Sequence, residues 1–132
     1  MTYLAVTIDT ECDMPNWKPK IPVTINNTKV LQKLNELFDK YEIKPTYLIT
    51  YPIANEQLGI DIMSSLHANK NCEIGTHFHP WTTPPINDIE IKNATFPYEL
   101  DVNLHKIKLK NLTDIIIKNL KVVPKSYRAG RY

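Results

Sequence analysis

Hydrophobic and polar positions alternate with two periods along this chain. From Tyr3 to Asp9 the period is two and the run is rich in β-branched residues, which predicts a strand. Leu4, Val6 and Ile8 fall on one face of it, and Tyr3, Ala5, Thr7 and Asp9 on the other. Val30, Leu31, Leu34, Leu37, Phe38 and Tyr41 recur at helical spacing, with Asn26, Asn27 and Thr28 as N-cap candidates. Pro45 to Thr50 reads as a second strand, opened by a proline that needs no ladder donor. Asn55 to Asn69 reads as a second helix, with Leu58, Ile62, Met63 and Leu66 inward and Gly59 as its weak point. Asn71 to His77 is a third short strand.

A third helix is predicted from Tyr98 to Leu120, burying Leu104, Ile107, Leu112, Ile115, Ile116 and Leu120. Lys106, Lys108, Lys110 and Lys118 would form its solvated face. Val122 to Arg128 reads as a fourth strand. Two proline-rich stretches punctuate the order. Pro15, Pro19 and Pro22 mark a loop after the first strand. Pro80, Pro84, Pro85 and Pro97 mark residues 80–98 as a long irregular loop, the kind that covers a site. The order βαβαβαβ predicts an α/β fold with a parallel sheet and right-handed crossovers.

A length of 132 residues bounds the chain to one domain. It is too short for an eight-unit β/α barrel, which takes about 250 residues. Sixteen lysines and arginines against 14 acids leave a net charge of +2, which asks for neither nucleic acid nor a membrane surface as partner. No run of about 20 apolar residues predicts a transmembrane helix. Residues 1–9 lack the basic-then-apolar pattern of a signal peptide, so the expected location is cytoplasmic. There Cys12 and Cys72 are expected as reduced thiols, and the sequons at Asn26, Asn93 and Asn111 as chance matches. The only two arginines, Arg128 and Arg131, fall in the last five residues. Lysine serves wherever a solvated charge is wanted, so confined arginine marks a place where the forked guanidinium matters.

Three clusters of reactive residues follow predicted strands, whose C-terminal ends share one face in a parallel β/α fold. After the first comes Asp9-Thr10-Glu11-Cys12-Asp13. After the third comes Gly75-Thr76-His77-Phe78-His79-Pro80-Trp81. With the fourth comes Tyr127-Arg128-Ala129-Gly130-Arg131-Tyr132. On an extended chain His77 and His79 point the same way, with Cα atoms about 6.6 Å apart, and can converge on one ion. Asp9, Glu11 and Asp13 can add an oxygen ligand and a separate base. Either arginine can hold a carboxylate in place. His67 and His105 fall within helices and read as ordinary helix residues.

These clusters, in this order, resemble the polysaccharide deacetylase family (carbohydrate esterase family 4, the NodB-homology domain). Thr7-Ile8-Asp9-Thr10-Glu11 is similar to its first motif, Glu73-Ile74-Gly75-Thr76-His77 to its second, and Tyr127-Arg128-Ala129-Gly130 to its third. His77 to Pro85 match a subgroup pattern H-x-H-P-W-x-T-P-P, whereas most members carry the second histidine four residues after the first. The resemblance implies a partial (β/α) barrel: four parallel strands and three helices of a distorted (β/α)7 barrel. It covers residues 1–132 as the N-terminal part of such a domain, truncated at its C-terminus, with exposed apolar edges and an open side.

The implied activity is metal-dependent hydrolysis of N-acetyl groups on an amino sugar or polysaccharide. Asp9 would be the base, held by Arg128. Glu11, His77 and His79 would hold a divalent metal, zinc above all, with Asp13 as the alternative acidic ligand. Trp81 and Tyr132 would line the sugar site, with packing under the proline-rich loop as the other reading for Trp81, and a backbone N–H near Tyr132 would face the oxyanion. Two further readings stand beside it. One is another metal-dependent amidohydrolase or phosphoesterase on a β/α barrel, although those place H-x-H after the first strand. The other is an inactive domain that only binds carbohydrate.

Overall fold

Four short strands pair side by side in chain order, all parallel, in a computed structural model that describes residues 2–14, 22–68, 70–93 and 95–131. They are β1 (Thr7–Thr10), β2 (Thr46–Ile49), β3 (Glu73–Phe78) and β4 (Tyr127–Ala129). Between them lie α1 (Leu31–Lys40), then α2 (Tyr51–Asn55) and α3 (Gln57–His67), then α4 (Asp88–Asn93) and α5 (Val102–Leu120). Sequential order with crossovers of one hand places the connecting helices on one face of the sheet.

Register and pleat divide the strand residues between two faces. Ile8, Tyr47, Ile49, Ile74 and Phe78 join the core with Ile53, Ile62, Met63, Leu112 and Ile116 of the helices. Asp9 pairs with Leu48, Leu48 with Gly75, and His77 with Arg128, so these residues share the opposite face. A flat sheet would hold β1 and β4 about 14 Å apart, three strand spacings. Arg128 of β4 nonetheless hydrogen-bonds Asp9 of β1. The sheet is therefore curled, with the Asp9 face concave, in the manner of half a barrel.

Several elements differ from the sequence expectation. Strand one begins at Thr7, where pairing with Thr46 begins. Tyr3 and Leu4 are 83 and 78 % exposed, outside the core. Strand four likewise begins at Tyr127, opposite Thr76. The second helix divides into α2 and α3 at Glu56, whose backbone is extended (φ −87°, ψ 141°). Gly59 is buried where they meet: a Cβ there would stand 2.2 Å from the Ile53 carbonyl oxygen. Gly59 thus permits a close crossing rather than weakening one helix.

Asn26, Asn27 and Thr28 do not cap α1; they lie in a 3-10 turn (Asn26–Val30) leading into it. Val30, Leu37 and Tyr41 are exposed, and Leu31 is the buried apolar residue of that stripe. Residues 80–98 are not irregular throughout: they hold α4 and the 3-10 turns Pro80–Thr82 and Pro97–Glu99. The last helix starts at Val102, because the Asp101 carboxylate accepts the Asn103 and Leu104 N–H groups. Ile107 is half exposed, whereas Lys108 is fully buried and leaves the solvated face. Among the described residues five helices thus stand where three were expected. Pro15, Pro19 and Tyr132 lie outside the described residues. No helix among the described residues is long and apolar enough to cross a membrane. Cys12 and Cys72 are free and buried.

Candidate metal centre

The two-residue period of an extended chain carries His77, near the end of β3, and His79, just past it, to the same side. Their rings meet edge to face with centroids 4.8 Å apart. Glu11, two residues beyond Asp9, reaches both. His77 Nε2 lies 3.2 Å from Glu11 Oε1, and His79 Nε2 lies 2.9 Å from Glu11 Oε2. The histidines are 1 and 3 % exposed. Burial opposes ionisation of the Glu11 carboxyl, but hydrogen bonds and charge from His77 and His79 outweigh it and hold its pKa down to about 2. Burial pushes the His79 pKa down against the pull of Glu11.

These residues fit a divalent ion. Their donor atoms all lie within 4.8 Å of one another. Four-coordinate zinc, with bonds of about 2.1 Å, separates its donors by about 3.4 Å, close to the two carboxylate–imidazole distances. Two neutral imidazoles and a carboxylate are also a common donor set of catalytic zinc, which keeps a position for water. Among the described residues neither histidine's buried Nδ1 has a hydrogen-bond partner, so the hydrogen bond of each ring is made at Nε2, toward Glu11.

Asp13 is placed apart from this cluster. Its carboxylate accepts from Thr24 Oγ1 (2.7 Å) and from the Asn26 and Asn27 N–H groups (both 2.9 Å). Against the cost of burial, these bonds hold its carboxyl below its usual range. Asp13 therefore satisfies the turn that opens the first helical segment, the task the sequence reading gave to residues 26–28.

Asp9 faces the centre from β1, with Oδ1 4.0 Å from His77 Nδ1. Arg128 Nη1 donates to Asp9 Oδ1 at 2.5 Å, and Nη2 donates to Thr7 Oγ1 at 2.6 Å. The fork thus spans two side chains on one face of β1. Arg131 instead lays its guanidinium 4.0 Å over the Phe96 ring. Beside the acids opens a cleft of about 240 Å³, lined by Asp9, Glu11, Cys12, Met14 and Asn27.

Trp81 is 5 % exposed and packs on His79, ring centroids 4.2 Å apart. Gly130 closes the other contact: a Cβ on it would stand 2.2 to 2.6 Å from three atoms of the His79 imidazole. His67 and His105 are elsewhere; His67 Nδ1 lies 3.1 Å from the Cys72 carbonyl, and His105 stacks on Phe78. Sequence reasoning did not assign the parts played by Thr7, Gly130 and Lys108. Thr7 carried a signal, since it shares a strand face with Asp9. Compared with models of known protein families, with curated proteins and with solved structures, the chain matches none of them.

Proposed function

We propose that this chain is a metal-dependent hydrolase of the polysaccharide deacetylase kind, removing N-acetyl groups from an amino sugar or polysaccharide. The curled sheet is then part of that family's distorted β/α barrel. The observation that carries the reading is the convergence of Glu11, His77 and His79 beside the Asp9–Arg128 pair, on one concave face.

Glu11, His77 and His79 would hold a divalent ion. A divalent metal in such a site supplies Lewis-acid polarisation and brings the pKa of bound water toward about 7. Asp9 takes the proton of the attacking water as its oxygen bonds to the acetyl carbon. The C–N bond then breaks as the leaving nitrogen takes up a proton, the equivalent of the one Asp9 removed, giving acetate and the free amine. Arg128 holds the Asp9 carboxylate in the orientation that accepts this proton. The walls that buried Trp81 and half-buried Gly130 form around His79 limit how far its imidazole can turn.

The test is incubation of the zinc-loaded protein with N-acetylglucosamine oligomers, following release of acetate and free amine. Zinc-dependent release that disappears with Asp9→Asn supports the reading. Absence of release from acetylated sugars by a protein that binds zinc removes the substrate assignment.

A further inference from the structure

Lys108 is fully buried on α5, yet the proposed hydrolysis does not use it. Its Nζ shares three N–H groups among four acceptors within hydrogen-bond distance, the carbonyls of Pro80 (3.1 Å), Thr83 (2.7 Å) and Pro85 and Glu90 Oε2 of α4 (2.9 Å). One turn further along α5, Asn111 Nδ2 donates to the Pro84 carbonyl at 2.9 Å. Two side chains of one helix thereby hold four carbonyls of the segment Pro80–Pro85. Its three prolines offer no N–H, so the segment cannot satisfy itself by a ladder.

This segment begins at the residue after His79. Pairing of β3 with β4 ends nearby, where the Gly130 N–H donates to the Phe78 carbonyl at 2.8 Å. Beyond that point, the residues just after His79 hold it in place. The Thr82 N–H and hydroxyl both reach the His79 carbonyl, and Trp81 packs on its ring. A purely apolar anchor of the same volume could fill the space, since a buried ion pair brings little net stability over hydrophobic packing. It could not gather three carbonyls at one point.

We propose that Lys108 is a positioning residue for the metal centre: its ammonium group fixes the segment Pro80–Pro85 in the shape that sets the His79 imidazole toward Glu11. The inference rests on the reading of Glu11, His77 and His79 as metal ligands. Groups behind a metal's own ligands commonly change its affinity by about 10- to 100-fold when removed.

Cobalt(II) reports both affinity and ligand geometry, so the test titrates it into the whole chain and records its visible absorption. Lys108→Met keeps the stem and removes the donors. Lys108→Arg keeps the charge and changes the geometry, and it decides the matter where the methionine variant does not fold. The expected result is binding weakened at least 10-fold in the folded variants, with a changed cobalt spectrum. Binding within twofold of wild type with an unchanged spectrum, even in a less heat-stable variant, reduces Lys108 to a structural role and overturns the proposal. A wild-type chain that binds no cobalt removes the metal reading itself, and this inference with it.

Discussion

Arg128 and Asp9 are hydrogen-bonded at 2.5 Å although two other strands separate theirs in the sheet. Both side chains are about one-third exposed, so the pair adds under about 1 kcal/mol to stability. In the proposed hydrolysis its role is orientation. Asp9→Asn is expected to lower turnover by about 10²- to 10⁴-fold, the usual worth of a positioned base, with zinc content unchanged. Arg128→Lys cannot reach both Asp9 and Thr7 with a fork and is expected to lose about 10-fold or more in turnover. Steady-state kinetics beside thermal unfolding check this: a large loss of fold stability with unaltered turnover contradicts the assignment.

Gly130→Ala is expected to displace the His79 ring, because the added methyl would meet three of its atoms within 2.6 Å. Overpacking of this kind costs about 1–3 kcal/mol. Zinc affinity should drop about 10-fold or more. An alanine variant with wild-type affinity shows that the ring has room to move.

The last helix offers a contrast between what the residue pattern suggests and what packs. Ile116 is fully buried, and Ile116→Ala should cost about 2–5 kcal/mol in urea unfolding. Ile107 is half exposed, and Ile107→Ala should stay within about 0.5 kcal/mol. Equal effects at the two positions would contradict the orientation of α5.

The same helix shows where the sequence was legible and where it was not. Leu112, Ile116 and Leu120 were readable from their four-residue spacing. Lys108 lies four residues before Leu112, in phase with that stripe, but its charge drew it to the solvated face. Its partners, the carbonyls of Pro80, Thr83 and Pro85, belong to a segment whose path no periodicity encodes. His77 and His79 were legible as candidates because their spacing follows the period of an extended chain, and Glu11 as one of three acids after the first strand. The choice between Glu11 and Asp13 was not, since it turns on the Asn26 and Asn27 N–H groups folding back onto Asp13. The division of the second helix was hidden because Gly59 reads as a local weakness, whereas its use is a contact with Ile53.

Alkaline pH should destabilise the fold. Burial pushes the Cys72 thiol from its ordinary 9.0 up to about 11, and the Tyr47 hydroxyl from 10.0 up to about 12. Above pH 9 the unfolded chain loses the Cys72 proton while the folded chain keeps it. The unfolded state then binds fewer protons, so stability falls as pH rises through the window from 9 to 11. Urea midpoints measured from pH 8 to 11 should decline; a flat profile contradicts a buried protonated thiol.

Asp13→Asn should separate the two acids after β1. It weakens the acceptor for the Asn26 and Asn27 N–H groups and is expected to cost about 0.5–2 kcal/mol, as loss of a cap does. Zinc binding should persist. If it disappears while the protein remains folded, Asp13 is a ligand after all.

Zinc stoichiometry tests the central claim most directly. The purified chain, stripped and then titrated with zinc by calorimetry, is expected to bind one ion per chain. Glu11→Gln and the double change His77→Ala with His79→Ala should each abolish tight binding while the protein remains folded. A wild-type chain that takes up no zinc, or a double variant that binds it as tightly as wild type, would contradict a metal centre built from Glu11, His77 and His79.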